Sequence, residues 1–236
     1  MKGSPGRSLT ASTEPVGGDQ GDRRLEQRRG QDAAARRLLG ATGAVRDVEL
    51  AMTSPPGSAL SFRPIHRTDF PLLAQWMSTP HVQKWWREAF EATVLEARYG
   101  PVVDGTDRTE CFVVELDDGP IGFVQRYLLD DNPEWRRSLL VAGTPTTSAG
   151  IDYFIGVETL TGKGLGPVII DRFLDSTWSR HPEITAVVVN VSAENRQSWR
   201  ALEKAGFSRI WTGTLVSDDP SDEGLSHVYA RHRPDR

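Results

Sequence analysis

The chain has 236 residues, 38% of them apolar, and its 28 Lys and Arg against 32 Asp and Glu give a formal net charge of −4. Such a composition supports a globular core but offers no run of the about 18–20 apolar residues that a membrane span needs, nor the N-terminal apolar segment of a secretory signal. A lone cysteine, Cys111, excludes an intramolecular disulfide and agrees with a reducing compartment, so a cytoplasmic protein is expected, while the acidic balance favours a small cationic partner over nucleic acid.

Residues 1–58 are rich in Gly, Ser, Arg, Asp and Gln, and no aromatic residue precedes Phe62. They bury too little apolar surface to offset chain entropy, so a disordered tail over 1–58 and a folded domain over 59–236 are expected. In the domain, residues 60–65 read as a first strand. Thr68 and Asp69, ahead of Pro71 and an apolar run through Trp76, read as a capped helix. Short helices are expected over 80–86 and 91–99. Strands at 111–116 and 121–129, separated by Asp117-Asp118-Gly119-Pro120, predict a hairpin. Residues 130–149 read as a long polar loop. A strand at 151–155, a helix at 165–180 and a strand at 186–190 predict a right-handed β-α-β crossover. Ser192 is the expected cap of a helix over 193–205 that Gly206 ends, and strands at 207–216 and 225–231 close the domain.

The segment from Gly150 to Gly166 holds the densest functional signal. Asp152 lies among β-branched and aromatic residues at the head of a strand, and Gly162, Gly164 and Gly166 precede a helix in which Pro167 suits the first turn. A glycine turn at a helix start leaves backbone N–H groups pointing one way with the helix dipole behind them, which holds an anion such as a diphosphate. The spacing matches neither a kinase-type phosphate loop, because Gly164 follows Lys163, nor a G-x-G-x-x-G dinucleotide fingerprint. An ordinary glycine-rich β-to-α connection is the alternative.

From Thr161 to Gly166 the chain resembles the acyl-coenzyme A diphosphate motif of the GCN5-related N-acetyltransferases (GNAT), Q/R-x-x-G-x-G/A, with Thr161 replacing the long polar first residue. Four segments sharpen the likeness to aminoglycoside 6′-N-acetyltransferases: HVQKWW at 81–86, PIGFVQRY at 120–127, GIDYFIG at 150–156 and EKAGF at 203–207. The resemblance implies an α/β (α+β) fold: a mixed, mostly antiparallel sheet of about seven strands, helices on both faces, and a central parallel pair that splays apart. It implies acetyl-coenzyme A as co-substrate, its pantetheine arm on the backbone of Phe154, Ile155 and Gly156 and beside Asn195. The diphosphate would rest on Thr161, Gly162, Lys163, Gly164, Leu165 and Gly166.

Asp152 falls on the family aspartate that meets the amine, where a carboxylate can orient an ammonium and take its proton. Two positions depart from the pattern: Asn190 stands where a second acid is usual, and Leu202 where many relatives carry a tyrosine toward the departing thiolate. Tyr127 and Tyr153 are candidate replacements for that tyrosine. Trp85, Trp86 and Trp135 are candidates for the wall of a sugar pocket, with Tyr127 and Asn190 joining them against the acceptor. Acidic residues Asp130, Asp131 and Glu134, and Asp218, Asp219, Asp222 and Glu223, are candidates for attracting a polycation. The five histidines show no metal-ligand spacing, so no metal is expected. The leading expectation is an aminoglycoside 6′-N-acetyltransferase, monomeric or homodimeric; alternatives are a siderophore-pathway lysine or hydroxylysine N-acyltransferase and a non-catalytic acyl-coenzyme A binding module.

Overall fold

The computed structural model describes residues 59–234, and the expected tail lies outside them. In chain order the elements are β1 (Leu60–Pro64), α1 (Phe70–Met77), α2 (Pro80–Gln83), α3 (Ala92–Val103), β2 (Glu110–Leu116), β3 (Gly119–Leu128), α4 (Pro133–Leu139), β4 (Ser148–Ile155), α5 (Leu165–Arg180), β5 (Ala186–Ser192), α6 (Arg196–Lys204), β6 (Ser208–Gly213) and β7 (Ser226–His232). The strands form one sheet in the order β1-β2-β3-β4-β5-β7-β6, antiparallel at every junction except β4/β5.

Side-chain alternation decides which helix meets which face. Cys111, Val113 and Phe123 turn toward α1 and α3, where Leu73, Trp76, Leu95 and Tyr99 complete a buried cluster. Phe112 turns the other way and meets Phe173 of α5 edge-on, as does Phe62 of β1. Helices therefore cover both faces. The hairpin forms as expected and is tighter than the four turn residues suggest: Asp117 and Asp118 alone make the turn, both with positive φ (51° and 61°), the mirror-image geometry whose twist suits paired strands.

The β4/β5 junction positions the site. The two strands pair only from Ser148 to Gly150 against Ala186 to Val188; β4 then continues to Ile155 and β5 to Ser192 without pairing to each other. A wedge opens between them, with the start of α5 near one strand and α6 following the other.

Four expectations need correction. Residues 130–149 are not an open loop: Pro133 starts α4, and Leu139 and Ala142 bury their side chains. Asp69 does not cap the first helix; its carboxylate accepts from the His66 N–H at 2.8 Å and from Arg63, closing a short turn just upstream. Ser192 stays in β5, paired with Ser226, and the next helix begins only after Asn195, whose side chain accepts from the Ser198 N–H at 3.1 Å. Asp152 is not at the head of its strand but well along it, two residues past the last parallel pair.

Candidate active site

On β3, Gln125 is the direct partner of Asp152 across the ladder. Its side-chain amide donates from Nε2 to Asp152 Oδ2 at 2.9 Å. Gln125 is itself only 7% exposed, and Cys111 Sγ donates to its Oε1 at 3.7 Å, which fixes the amide the right way round. Asp152 is thus held by the Gln125 amide and faces the wedge with the Tyr127 hydroxyl beside it. Burial is the largest influence on its carboxyl and pushes it up to about 6; Gln125 and Arg98 pull it down, while the nearby charges of Asp222 and Asp219 push it up. An acid poised there can orient an ammonium and accept a proton near neutral pH.

The wall opposite Asp152 answers the question raised by Asn190. Its Nδ2 donates to Asp222 Oδ1 at 2.7 Å, and Ser217 Oγ donates to Asp222 Oδ2 at 2.6 Å. The anionic charge that Asn190 does not carry is present one hydrogen bond away, brought in by the connection between β6 and β7. Asn190 Oδ1 is buried without a partner, so the pair still has acceptor capacity to offer. Asp218 and Asp219 line the same cleft. Glu223 instead pairs with Arg87, Asp130 with Arg136 and Asp131 with Arg108; Glu134 lines the cleft.

The aromatic candidates converge on this end. Trp135 Nε1 donates to the Tyr127 hydroxyl at 3.1 Å, and Tyr127 lies flat against Gly150, where any side chain would collide with its ring. Trp85 lines the cleft with Lys84 over its ring. Trp86 also reaches the cleft, but it packs edge-on against Phe154 (5.1 Å between centroids) and Phe123 (5.9 Å), so it is anchored in the core. Glu88 and Arg98 escaped the sequence reading. They pair at 2.6 Å on the cleft wall, Glu88 is only 9% exposed, and burial pushes its carboxyl up to about 7. Glu88 stands in Trp85-Trp86-Arg87-Glu88-Ala89-Phe90 with no motif around it, so its pairing with Arg98 on α3 has no local sign. Gln125 could have been found, because a polar residue at an inward position of an apolar strand needs a partner.

At the other end of the wedge, Gly162 and Gly164 adopt left-handed φ values of 69° and 81°. Gly164 precedes the first residue of α5 and offers no side-chain cap, so the first N–H groups of that helix stay available, and the space above Gly164 is open. Gly166 has a different reason to be glycine: it faces the Ala201 methyl of α6. Thr161, Gly162, Gly164 and Gly166 line the cleft, whereas Lys163 and Leu165 do not. The Thr161 hydroxyl is spent on the Glu158 carbonyl at 2.8 Å. This turn fits a diphosphate, through backbone donors and the dipole of α5.

Along β4 the expected free stretch is only partly free. The Gly156 N–H donates to Ile121 at 2.9 Å, and Gly156 is off the cleft wall, packed where a side chain would strike Trp76. The alternation of an antiparallel ladder then turns the N–H groups of Tyr153 and Ile155 toward β5. His81 Nε2 donates to the Ile155 carbonyl at 3.0 Å. Phe154, Ile155 and Asn195 line the cleft, Asn195 with its amide Nδ2 not engaged in capping. The Tyr153 hydroxyl shares a hydrogen bond with Ser198 Oγ at 2.9 Å, linking β4 to α6, and burial pushes it up to about 12, so it stays protonated at neutral pH. Leu202 is fully buried. Among the described residues, no group of three or more His, Cys, Asp or Glu is placed to hold a metal, and no helix is long and apolar enough to cross a membrane.

A profile for the acetyltransferase (GNAT) domain matches residues 66–215. A comparison with curated proteins found no match. Among solved structures, the aminoglycoside acetyltransferase AAC(6')-Ib in complex with coenzyme A and kanamycin is similar at 26% identity and a TM-score of 0.60, over 74% of this chain and 95% of that one. AAC(6')-Ib in complex with ribostamycin and coenzyme A gives 25%, 0.63, 74% and 94%. A chimera of the Vibrio cholerae spermidine N-acetyltransferase SpeG and hSSAT shares the fold at 18% identity and a TM-score of 0.56, over 73% of this chain and 95% of that one.

Proposed function

The chain belongs to the GNAT acetyltransferase family, and from that membership we propose that its domain over 59–236 moves an acetyl group from acetyl-coenzyme A to the 6′-amine of an aminoglycoside, conferring resistance as a cytoplasmic enzyme. The observation that carries the reading is Asp152, held by Gln125 and facing the wedge between β4 and β5, with the Asn190–Asp222 pair across from it. A polyamine sugar presents several ammonium groups, and carboxylates on both walls suit it better than a single acid would. The likeness to AAC(6')-Ib at 25–26% identity supports the same acceptor class.

In this reading the thioester lies along the free backbone of β4, with its diphosphate on the turn from Thr161 to Gly166. Asp152 binds the acceptor ammonium and takes one of its protons, which frees the lone pair with which the nitrogen attacks the thioester carbonyl. The C–N bond forms, the tetrahedral oxyanion accepts from a backbone N–H of β4, and as it collapses the C–S bond breaks and the nitrogen gives its second proton to water. The thiolate gains its proton from water, since Leu202 has none to give and the Tyr153 hydroxyl is engaged with Ser198. A lysine-type acceptor is the competing reading, and Arg98 favours it, because a guanidinium on the cleft wall suits an amino acid's carboxylate. Thiol release from acetyl-coenzyme A decides between them. Release with kanamycin or tobramycin and not with lysine or hydroxylysine is expected; release with the lysine compounds alone would overturn the proposal, and coenzyme binding without turnover would make the chain a binding module.

A further inference from the structure

Three exposed cations line up on α6, one of which, Arg200, has its guanidinium 5.5 Å from the centre of the Trp199 ring. Arg196, Arg200 and Lys204 are spaced by four residues, so they share one face of the helix, and that face lines the cleft. Like charges at this spacing repel. Among the described residues, none of the three lies within ion-pair distance of a carboxylate. Arg196 is the first residue of the helix, where the dipole is already positive, and no acid occupies the first turn to offset it. The nearest acids do not resolve the conflict: Glu194 is exposed ahead of the helix, and Glu203 accepts from the Tyr229 hydroxyl at 2.9 Å. Only Lys204, in the last turn, has a favourable place in the dipole. A helix that keeps such repulsion on the face it turns into a cleft is arranged for an anion.

The position of α6 says which anion. The helix sits directly against the glycine turn: Gln197 Nε2 is 3.5 Å from where a side chain on Gly162 would begin, and the Ala201 methyl is 3.2 Å from the same point on Gly166. The cation row thus flanks the diphosphate cradle. Coenzyme A carries a further phosphate, at the 3′ position of the ribose to which its diphosphate is attached, so a molecule seated on the cradle brings that group alongside this helix. Resting on the coenzyme A reading above, we propose that Arg196, Arg200 and Lys204 bind the ribose 3′-phosphate and select coenzyme A over forms that lack it.

Calorimetric titration of the full chain with coenzyme A and with 3′-dephospho-coenzyme A tests this without turnover. Exposed cations are screened, so the preference for coenzyme A is set at about tenfold at low salt, shrinking as salt is added. In the double variant Arg196→Gln, Arg200→Gln the preference should fall to about twofold or less while affinity for the dephospho form is kept, and the relieved repulsion should leave helix content by circular dichroism unchanged. Equal wild-type affinity for the two ligands overturns the 3′-phosphate assignment and leaves the coenzyme reading standing. Equal weakening of both in the variant overturns it too, by giving the row to the diphosphate. Absence of binding by either ligand overturns both.

Discussion

Replacing Asp152 with Asn should make the protein more stable while abolishing its activity. Burial lifts the Asp152 carboxyl from an ordinary 3.8 to about 6, so the folded state holds its proton more tightly than the unfolded state does. Below about pH 4 both states are protonated and the residue costs nothing; as pH rises toward 6 the unfolded state ionises first, and above that the full penalty applies. The interval from 3.8 to about 6 corresponds to about 3 kcal/mol at pH 8 and to about half of that at pH 5. Asparagine keeps the shape, can still accept from Gln125 Nε2, and carries no charge to bury near Asp222 and Asp219. Urea unfolding followed by tryptophan fluorescence should therefore show Asp152→Asn gaining up to about 3 kcal/mol at pH 8, a rise in Tm of about 6–12 °C, and markedly less at pH 5. A gain that did not shrink on acidification would falsify the assignment of a buried, ionising carboxylate, and a loss of stability at pH 8 would show that its charge is compensated in the folded state.

Two further substitutions should move the acid limb of the kcat/KM profile in opposite directions. Gln125→Leu removes the amide donor that favours the ionised form, so the limb should climb from about 6 to about 7, with kcat falling more than KM changes. A limb that stays in place would mean the hydrogen bond is made equally to both protonation states. Asp222→Asn removes a charge that raises Asp152, so the limb should move down; KM for a polyamine acceptor should rise about tenfold, with kcat little altered. An unchanged KM would show that the acceptor does not reach the Asn190 wall.

The parts of this fold that were legible are those whose cause is local. Alternation in β2 and β3, the turn residues Asp117 and Asp118, and the glycines before α5 each act within a few residues, and each element appears where its pattern lies. The misreadings at helix starts were competitions between neighbours. Ser192 and Asn195 are both able caps, and the choice fell to Asn195 because β5 claims Ser192 for pairing with Ser226. The Asp69 side chain lost its helix-capping role to a contact with Arg63 of β1, which donates to both carboxylate oxygens.

What stayed hidden at the site was hidden by distance along the chain. Asn190, read alone, is an acid lost; the hydrogen bond to Asp222, 32 residues away, makes it an acid relocated. The relocation has a physical consequence that a second acid on β5 would not have. A carboxylate at position 190 would have had to bear its own burial on a strand in the sheet, whereas Asp222 is supported by Ser217 and by the Asn190 amide, two donors that favour its ionised form against the burial that opposes it. The same logic covers Glu88, whose charge is admitted to the wall only because Arg98 arrives from α3. In both cases the quantity that matters to a cationic acceptor is the field in the cleft, which is set by where charges meet in space. A substitution at one expected position leaves that field standing when another segment carries the charge to the same place.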